Sequence, residues 1–311
     1  MPKPMTLPRL LRRPAETRLA HLLWPGGEVN DDFLRPHREP ALIAPDSVSW
    51  RVFGNPLSVF IGGVAAVVLE LAEPRVRTGV WENTSFRDRP LQRLQRTGYA
   101  AMLSVYGPRS RVLPMIERVR RLHDGVGGTA PDGRSFRASD PDLLEWVHAT
   151  ASFGFLEAYH AYVQPLGDSE RDRFYAEGEP VGRLYGCRSA PRSQADMAAL
   201  FARMEARLEG SSIVTDFLRI VVRMPALPPV LRPVQALLVR AAVDLVPADL
   251  RRRMGLGDDW RLSRWQSRLV RWAGDHLDQG SLATHPAMQA RARLGLTEGA
   301  PVARGTRPME T

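Results

Sequence analysis

The sequence has almost no cysteine and almost no lysine. Cys187 is the only cysteine among the 311 residues, which excludes an intrachain disulfide and any metal site that needs several thiolates. A chain without disulfides is typical of a reducing compartment, so we expect a cytoplasmic protein. Lys3 is the only lysine, so arginine supplies nearly all of the basic charge, and the formal net charge is +9.

A positive charge of this size attracts nucleic acid or anionic lipid. However, no basic segment carries interleaved aromatic residues and no zinc-finger spacing occurs, and the common nucleic-acid-binding modules need such patterns. We therefore interpret the arginines as a solvated surface and expect no nucleic-acid partner. Peripheral contact with a membrane stays open.

Long apolar runs are also missing. The longest uncharged run, NPLSVFIGGVAAVVL, extends from Asn55 to Leu69 and is shorter than the ~20 residues of a spanning helix. We therefore expect no transmembrane segment. The run is apolar on every face, which predicts a buried central helix near 56–72 that Asn55 caps. The sequence also lacks H-E-x-x-H, phosphate-loop and G-x-S-x-G motifs, the signatures of zinc proteases, nucleotide-binding proteins and serine hydrolases.

What is present is a series of helical patterns without convincing alternating strands. We predict one all-α domain of about ten helices, with a polar connection over 73–90 and a turn-rich loop, with a hairpin around Asp132-Gly133, over 129–139. We divide the chain into an N-terminal helical extension (1–49), a main domain (50–256), helices that pack on it (257–297) and a disordered tail (298–311).

His148 lies in the apolar stripe of the predicted helix 141–163, PDLLEWVHATASFGFLEAYHAYV. Helical spacing gives it the same face as Ala151 and Phe155. Small residues follow it, and a haem ligand needs a flat space beside the imidazole and apolar walls. The alternative is a core histidine bonded to a carbonyl group. His160 lies about 120° away round the helix and is not expected to share the role.

The segment RVRRLHDGVGG, residues 118–128, ends a second helix. Arg120 and His123 share a face, and an arginine there can hold a carboxylate such as a haem propionate. His123 can exchange a proton near neutral pH. The alternative is a solvated basic face that ends at a glycine.

Together the two segments resemble the family of the rubber oxygenases (latex-clearing proteins) and the mycophenolic-acid-pathway oxygenase MpaB. The resemblance extends from about residue 50 to residue 256. Its most specific parts are R-x-x-H-x-x-V-x-G, from Arg120 to Gly128, and D-P-x-L-L-x-W-V-H-A-T, from Asp140 to Thr150.

The resemblance implies an all-helical fold with a globin-like core around haem b, and an iron ligand at the histidine of the W-V-H segment, His148. It also implies a distal side formed by Arg120 and His123. The rubber oxygenases carry lysine and threonine where this chain has His123 and Asp124, so the sequence is nearer to the MpaB-like branch.

We therefore predict a haem-b-dependent oxygenase that acts with O₂ on a hydrophobic, unsaturated substrate, for which a terpenoid is one candidate. His148 is the predicted iron ligand, and the predicted cofactor contacts are Arg120, Arg121, Ala151 and Phe155. Arg120 and His123 are the predicted catalytic residues. A non-catalytic helical protein that binds haem, lipid or a partner is the alternative. Glu117, Glu145 and Glu157 are candidates for a general base, although ordinary ion pairing explains each of them equally simply.

Overall fold

The computed structural model describes residues 30–83, 86–277 and 285–296. The helices are α1 (Val48–Val52), α2 (Pro56–Glu70), α3 (Pro74–Asn83), α4 (Pro90–Tyr106), α5 (Arg109–Asp124), α6 (Pro141–Tyr162), α7 (Asp168–Tyr185), α8 (Gln194–Met204), α9 (Ser212–Arg223), α10 (Arg232–Leu245), α11 (Ala248–Arg253), α12 (Arg264–His276) and α13 (Pro286–Leu294). Two short strands, β1 (Gly127–Thr129) and β2 (Ser135–Arg137), form an antiparallel hairpin.

The prediction of an all-α fold is confirmed, and so is the hairpin around Asp132-Gly133, where Gly133 has a φ of +82°. The described residues hold thirteen α-helices rather than about ten. The predicted tail and most of the N-terminal extension lie outside the described residues, and the division into segments stays a prediction.

Helix α2 is the centre of the fold, as its apolar sequence predicts. The Asn55 side chain accepts hydrogen bonds from the backbone N–H groups of Leu57 and Ser58, which caps the helix. A Cβ added to Gly154 of α6 would lie 2.4 Å from the carbonyl oxygen of Gly62. The backbones of α2 and α6 therefore touch where they cross, and only glycine fits at this point.

Helices α2 and α6 run antiparallel, because the end of α2 meets the start of α6. Arg75, just after α2, donates hydrogen bonds to Glu73 at 2.8 Å and to Asp142 at 2.9 Å. Glu73 is fully buried, and its carboxylate also accepts hydrogen bonds from the backbone N–H groups of Arg75 and Val76.

This capping by Glu73 corrects one prediction. The segment 73–90, expected to be a connection, contains helix α3 over Pro74–Asn83. Its charged residues favour a loop by composition, but the buried Glu73 carboxylate satisfies the first N–H groups of a helix, and Pro74 suits its first position. The segment 168–186, to which the sequence patterns assigned no element, is the long helix α7.

Among the described residues, no single helix is long and apolar enough to cross a membrane. Helices α2 and α3 reach that length only when taken together, and they are bent by 113° relative to each other.

Candidate active site

His148 lies near the middle of α6 and is half-buried. Burial lowers the pKa of its imidazole to about 4, and the carboxylate of Glu179 opposes this shift weakly. No described residue forms a hydrogen bond with either ring nitrogen. At neutral pH the ring is uncharged and keeps a free nitrogen lone pair, which is the form that binds a metal ion.

Two glycines of α7 face this ring. A Cβ added to Gly182 would lie 3.0 Å from His148 Nε2, and one added to Gly178 would lie 3.8 Å from the same atom. The two glycines are one helical turn apart, so bare backbone lies beside the imidazole. The sequence analysis had expected such a small-residue surface on α6 itself.

The small residues that follow the histidine on α6 are used differently. Gly154 packs against Gly62 of α2, so it does not leave the flat space that the sequence suggested. Phe155 is buried against the same part of α2, and Ala151 is half-buried at the edge of the core. Ala151 and Phe155 stay predicted cofactor contacts.

The end of α5 carries the other predicted site residues. Arg120 is exposed, and its guanidinium forms an ion pair with Glu117 at 3.7 Å; Arg121 is exposed as well. His123 is half-buried, and its Nδ1 is buried without a hydrogen-bond partner among the described residues. The structure therefore directs His123 inward and leaves the two arginines at the surface.

Two charged residues that the sequence analysis missed accompany His123. Burial raises the pKa of Glu70, the last residue of α2, to about 7, and the positive charge of Arg93 on α4 opposes the rise. Burial also lowers the pKa of His123, and Arg93 lowers it further, whereas Asp124 raises it. Arg93 on α4 thus acts electrostatically on both Glu70 at the end of α2 and His123 at the end of α5.

From half-buried stripes on α2 and α4 we infer a cleft between the two helices. Nearly all of this helix is buried, but one stripe at helical spacing is only half-buried: Phe60, Gly63, Val67 and Glu70. Helix α4 has a matching half-buried stripe, Leu91, Leu94, Gly98 and Ala101, and a Cβ added to Gly98 would meet nothing within 4 Å. We call the space bordered by these stripes the cleft.

Helical geometry places His148 at this cleft. His148 lies almost two turns before Gly154, and Glu70 lies just over two turns after Gly62, the residue that Gly154 contacts. Because the two helices are antiparallel, these offsets put His148 and Glu70 at about the same height along the pair and on the same side of it. Tyr185 of α7 lies 3.7 Å from Met115 Sδ of α5 and 3.3 Å from Ser104 Oγ of α4, so α7, α5 and α4 complete the surrounding ring.

The remaining candidates have structural roles. Glu145 accepts a hydrogen bond from Arg203 at 2.8 Å, and Glu157 is paired with Arg171, so these carboxylates, like Glu117, lie in ion pairs. His160 Nδ1 accepts a hydrogen bond from the backbone N–H of Leu166 at 3.0 Å.

Cys187 is buried, and its thiol donates a hydrogen bond to the carbonyl oxygen of Leu144 at 3.3 Å. Burial raises the pKa of this thiol to about 12. It is therefore a neutral thiol at physiological pH rather than a thiolate ligand.

Two surface cavities lie away from His148. One of about 360 Å³ follows the end of α5 and is lined by Asp124, Gly125, Val126, Gly127, Gly128, Phe136 and Arg137. A larger one of about 600 Å³ lies between α3 and α9. Among the described residues, no group of three or more His, Cys, Asp and Glu side chains is arranged to hold a metal ion.

Comparison with known proteins defines the class to which this site belongs. A family model described as "ER-bound oxygenase mpaB/B'/Rubber oxygenase, catalytic domain" matches residues 50–274. The chain therefore belongs to this oxygenase family, and the resemblance inferred from the two motifs is confirmed. The family description is that of the catalytic domain of an oxygenase.

Among curated proteins, the chain is similar to an uncharacterized protein of Mycobacterium bovis and to one of Mycobacterium tuberculosis. Each is 29% identical over 122 residues, which is 38% of this chain and 48% of the relative. The chain thus spans about half the length of the curated relatives it matches. No solved structure matches the chain.

Proposed function

We propose that this protein is a haem-b-dependent oxygenase in which His148 is the iron ligand. The observation that carries the proposal is the state of the His148 ring, which is neutral and has no hydrogen-bond partner among the described residues. The glycine surface of α7 beside Nε2 adds to it, since a bulkier residue at Gly182 would fill that space. The donor chemistry and the local shape both fit a haem ligated by one histidine.

When bound, haem b would supply an iron with an open position at which O₂ is activated. The chain's own contribution is proton handling and polarity. Glu70 has a pKa of about 7, so its carboxyl group can take up and release a proton near neutral pH. His123 has a buried, unpartnered Nδ1 that can bond to a group entering the cleft.

Positive charge near His123 comes from Arg93, whose side chain is half-buried. Arg93 is therefore better placed than Arg120 and Arg121 to hold a carboxylate inside the cleft, such as a propionate. The roles predicted for Arg120 and Arg121 require their exposed side chains to turn inward.

The walls of the cleft favour a hydrophobic substrate. Phe60, Val67 and Leu94 present apolar side chains there, and Met115 lies at the contact with α7. Apolar walls with a few polar groups at one end are typical of sites for lipophilic molecules. The His123-Asp124 pair, in place of lysine and threonine, favours a small unsaturated substrate over rubber. The cytoplasmic location stays a prediction.

The absorption spectrum of freshly purified protein tests the proposal. We expect a Soret band and a b-type pyridine haemochrome, and oxygen uptake with lipophilic alkenes. A colourless protein that stays colourless when titrated with hemin would exclude haem dependence. Haem without any oxygen uptake would favour the non-catalytic alternative.

A further inference from the structure

Helix α12 is held to the rest of the protein by one face only. Val270 is 1% exposed, and Gly274 packs so closely on the carbonyl oxygen of Tyr162 that an added Cβ would lie 2.0 Å from it. The side-chain amide of Asn55 donates a hydrogen bond to the carbonyl oxygen of Gly274 at 3.0 Å. The buried face therefore fixes the orientation of the whole helix.

The opposite face exposes large apolar side chains. Trp265 is 65% exposed, Leu269 45% and Trp272 55%, and their spacing aligns them along one stripe. By contrast, Trp50 and Trp146 are at most 2% exposed. Exposed tryptophans aligned on one helix face are unusual for a surface that meets only water, because large apolar patches mark interaction sites.

Arginines flank this stripe on one side. Arg264, Arg268 and Arg271 repeat at the same spacing as the apolar residues. Arg271 donates a hydrogen bond to the carbonyl oxygen of Ala161, and neither Arg264 nor Arg268 has an ion-pair partner among the described residues. Asp275 is the acidic residue on this side of α12, so the flank keeps a net positive charge.

We propose that the exposed face of α12 binds the surface of an anionic lipid bilayer. Tryptophan prefers the boundary between water and hydrocarbon, where its ring is apolar and its N–H reaches polar groups. Arginine side chains beside it can lie along the boundary and contact lipid phosphates. A helix with an apolar stripe flanked by basic residues lies in the plane of such a surface.

Charge distinguishes the bilayer from a second copy of the chain. A two-fold interface brings the same patch of both copies together. In an antiparallel pair Arg264 and Arg268 would then lie on the same side as the equivalent arginines, and juxtaposed like charges oppose association. An anionic surface is complementary to them. The proposal does not depend on haem, although a bilayer is also where a lipophilic substrate accumulates.

Co-sedimentation of the full chain with vesicles tests the proposal. The vesicles are phosphatidylcholine alone or mixed with phosphatidylglycerol. We expect binding to the anionic vesicles, weakened about tenfold or more in W265S/W272S because the apolar stripe is lost. R264Q/R268Q should weaken binding to the anionic vesicles by roughly fivefold per arginine and leave binding to neutral vesicles unchanged.

V230S/R232Q is a matched control, because it removes another exposed apolar side chain and another exposed arginine, at the start of α10. This variant should bind like wild type. Equal sedimentation of wild type and W265S/W272S would overturn the proposal. A dimer detected by light scattering, dissociated by W265S/W272S and by no other variant, would also overturn it. So would acrylamide quenching that finds Trp265 and Trp272 shielded in the free protein. Unchanged circular dichroism would establish that the surface variants fold.

Discussion

The two histidines at the cleft lie in different electrostatic surroundings. His148 faces bare glycine backbone on α7, and the one charge that acts on its pKa is the carboxylate of Glu179. His123 is next to Asp124 and within the influence of Arg93. Burial lowers the pKa of both rings, so what distinguishes the two rings is the set of charged residues that acts on each pKa.

That difference suggests separate roles for the two histidines. A metal ligand needs a neutral ring with a free lone pair, and His148 has both. A proton-handling group is tuned by nearby charges, and the pKa of His123 responds to Arg93 and Asp124.

Replacing the histidines one at a time is the strongest test of their proposed roles. H148A should abolish the Soret band and retain helical circular dichroism, since the ring supplies the proposed iron ligand and makes no hydrogen bond with a described residue. H123A should keep the Soret band but lose most of the oxygen uptake. H160A is the control and should keep both. A normal Soret band in H148A would exclude His148 as the ligand.

Replacing Glu70 tests the buried carboxyl group on which the charge of Arg93 acts. In the folded protein its pKa is about 7, above the ordinary value of 4.5, so the folded state holds this proton more tightly than the unfolded state does. Wild type should therefore lose stability relative to E70Q as the pH rises from 4.5 to 7, by up to about 3 kcal/mol. Urea unfolding of both proteins at several pH values measures this difference.

The same variant should alter catalysis without removing haem. If Glu70 takes up and releases a proton during catalysis, the change in oxygen uptake near pH 7 should disappear in E70Q. The Soret band should be unchanged. A pH profile of oxygen uptake identical to that of wild type would leave Glu70 with a structural role only.

The glycine surface beside His148 can be tested with a matched pair of substitutions. G182A puts a methyl group 3.0 Å from Nε2, whereas G178A puts one at an ordinary contact distance of 3.8 Å. We expect about tenfold weaker hemin binding in G182A, because overpacking costs about 1 kcal/mol or more. G178A should bind hemin normally and gain up to about 1 kcal/mol in stability, because alanine favours helix. Equal hemin affinities of G182A and G178A would contradict a role for the glycine surface of α7 in hemin binding.

The smallest expected effect is at Cys187. Burial raises its pKa to about 12, so the thiol should react slowly with a disulfide reagent in the native protein and readily after unfolding. C187S should leave the absorption spectrum unchanged. A shifted Soret band would reopen thiolate ligation, which the contact with Leu144 argues against.

Much of the fold could be read from the sequence. The apolar run after Asn55 predicted α2, and the proline-led, periodic segment 141–163 predicted α6 close to its observed bounds. Helix α3 was missed because its composition is charged, and its first turn depends on the buried carboxylate of Glu73. That stabilisation exists only once the core closes round it.

The sequence by itself determined the helical class, the family motifs and the two candidate histidines. Such features depend on local spacing and residue type, which the chain carries before it folds. Only the tertiary structure brought Gly178 and Gly182 opposite His148 and put Arg93 within the influence of both Glu70 and His123. It also turned Arg120 and Arg121 outward. Those relations join helices far apart in the chain, and burial, which sets the pKa of each group, is a property of the packed molecule alone.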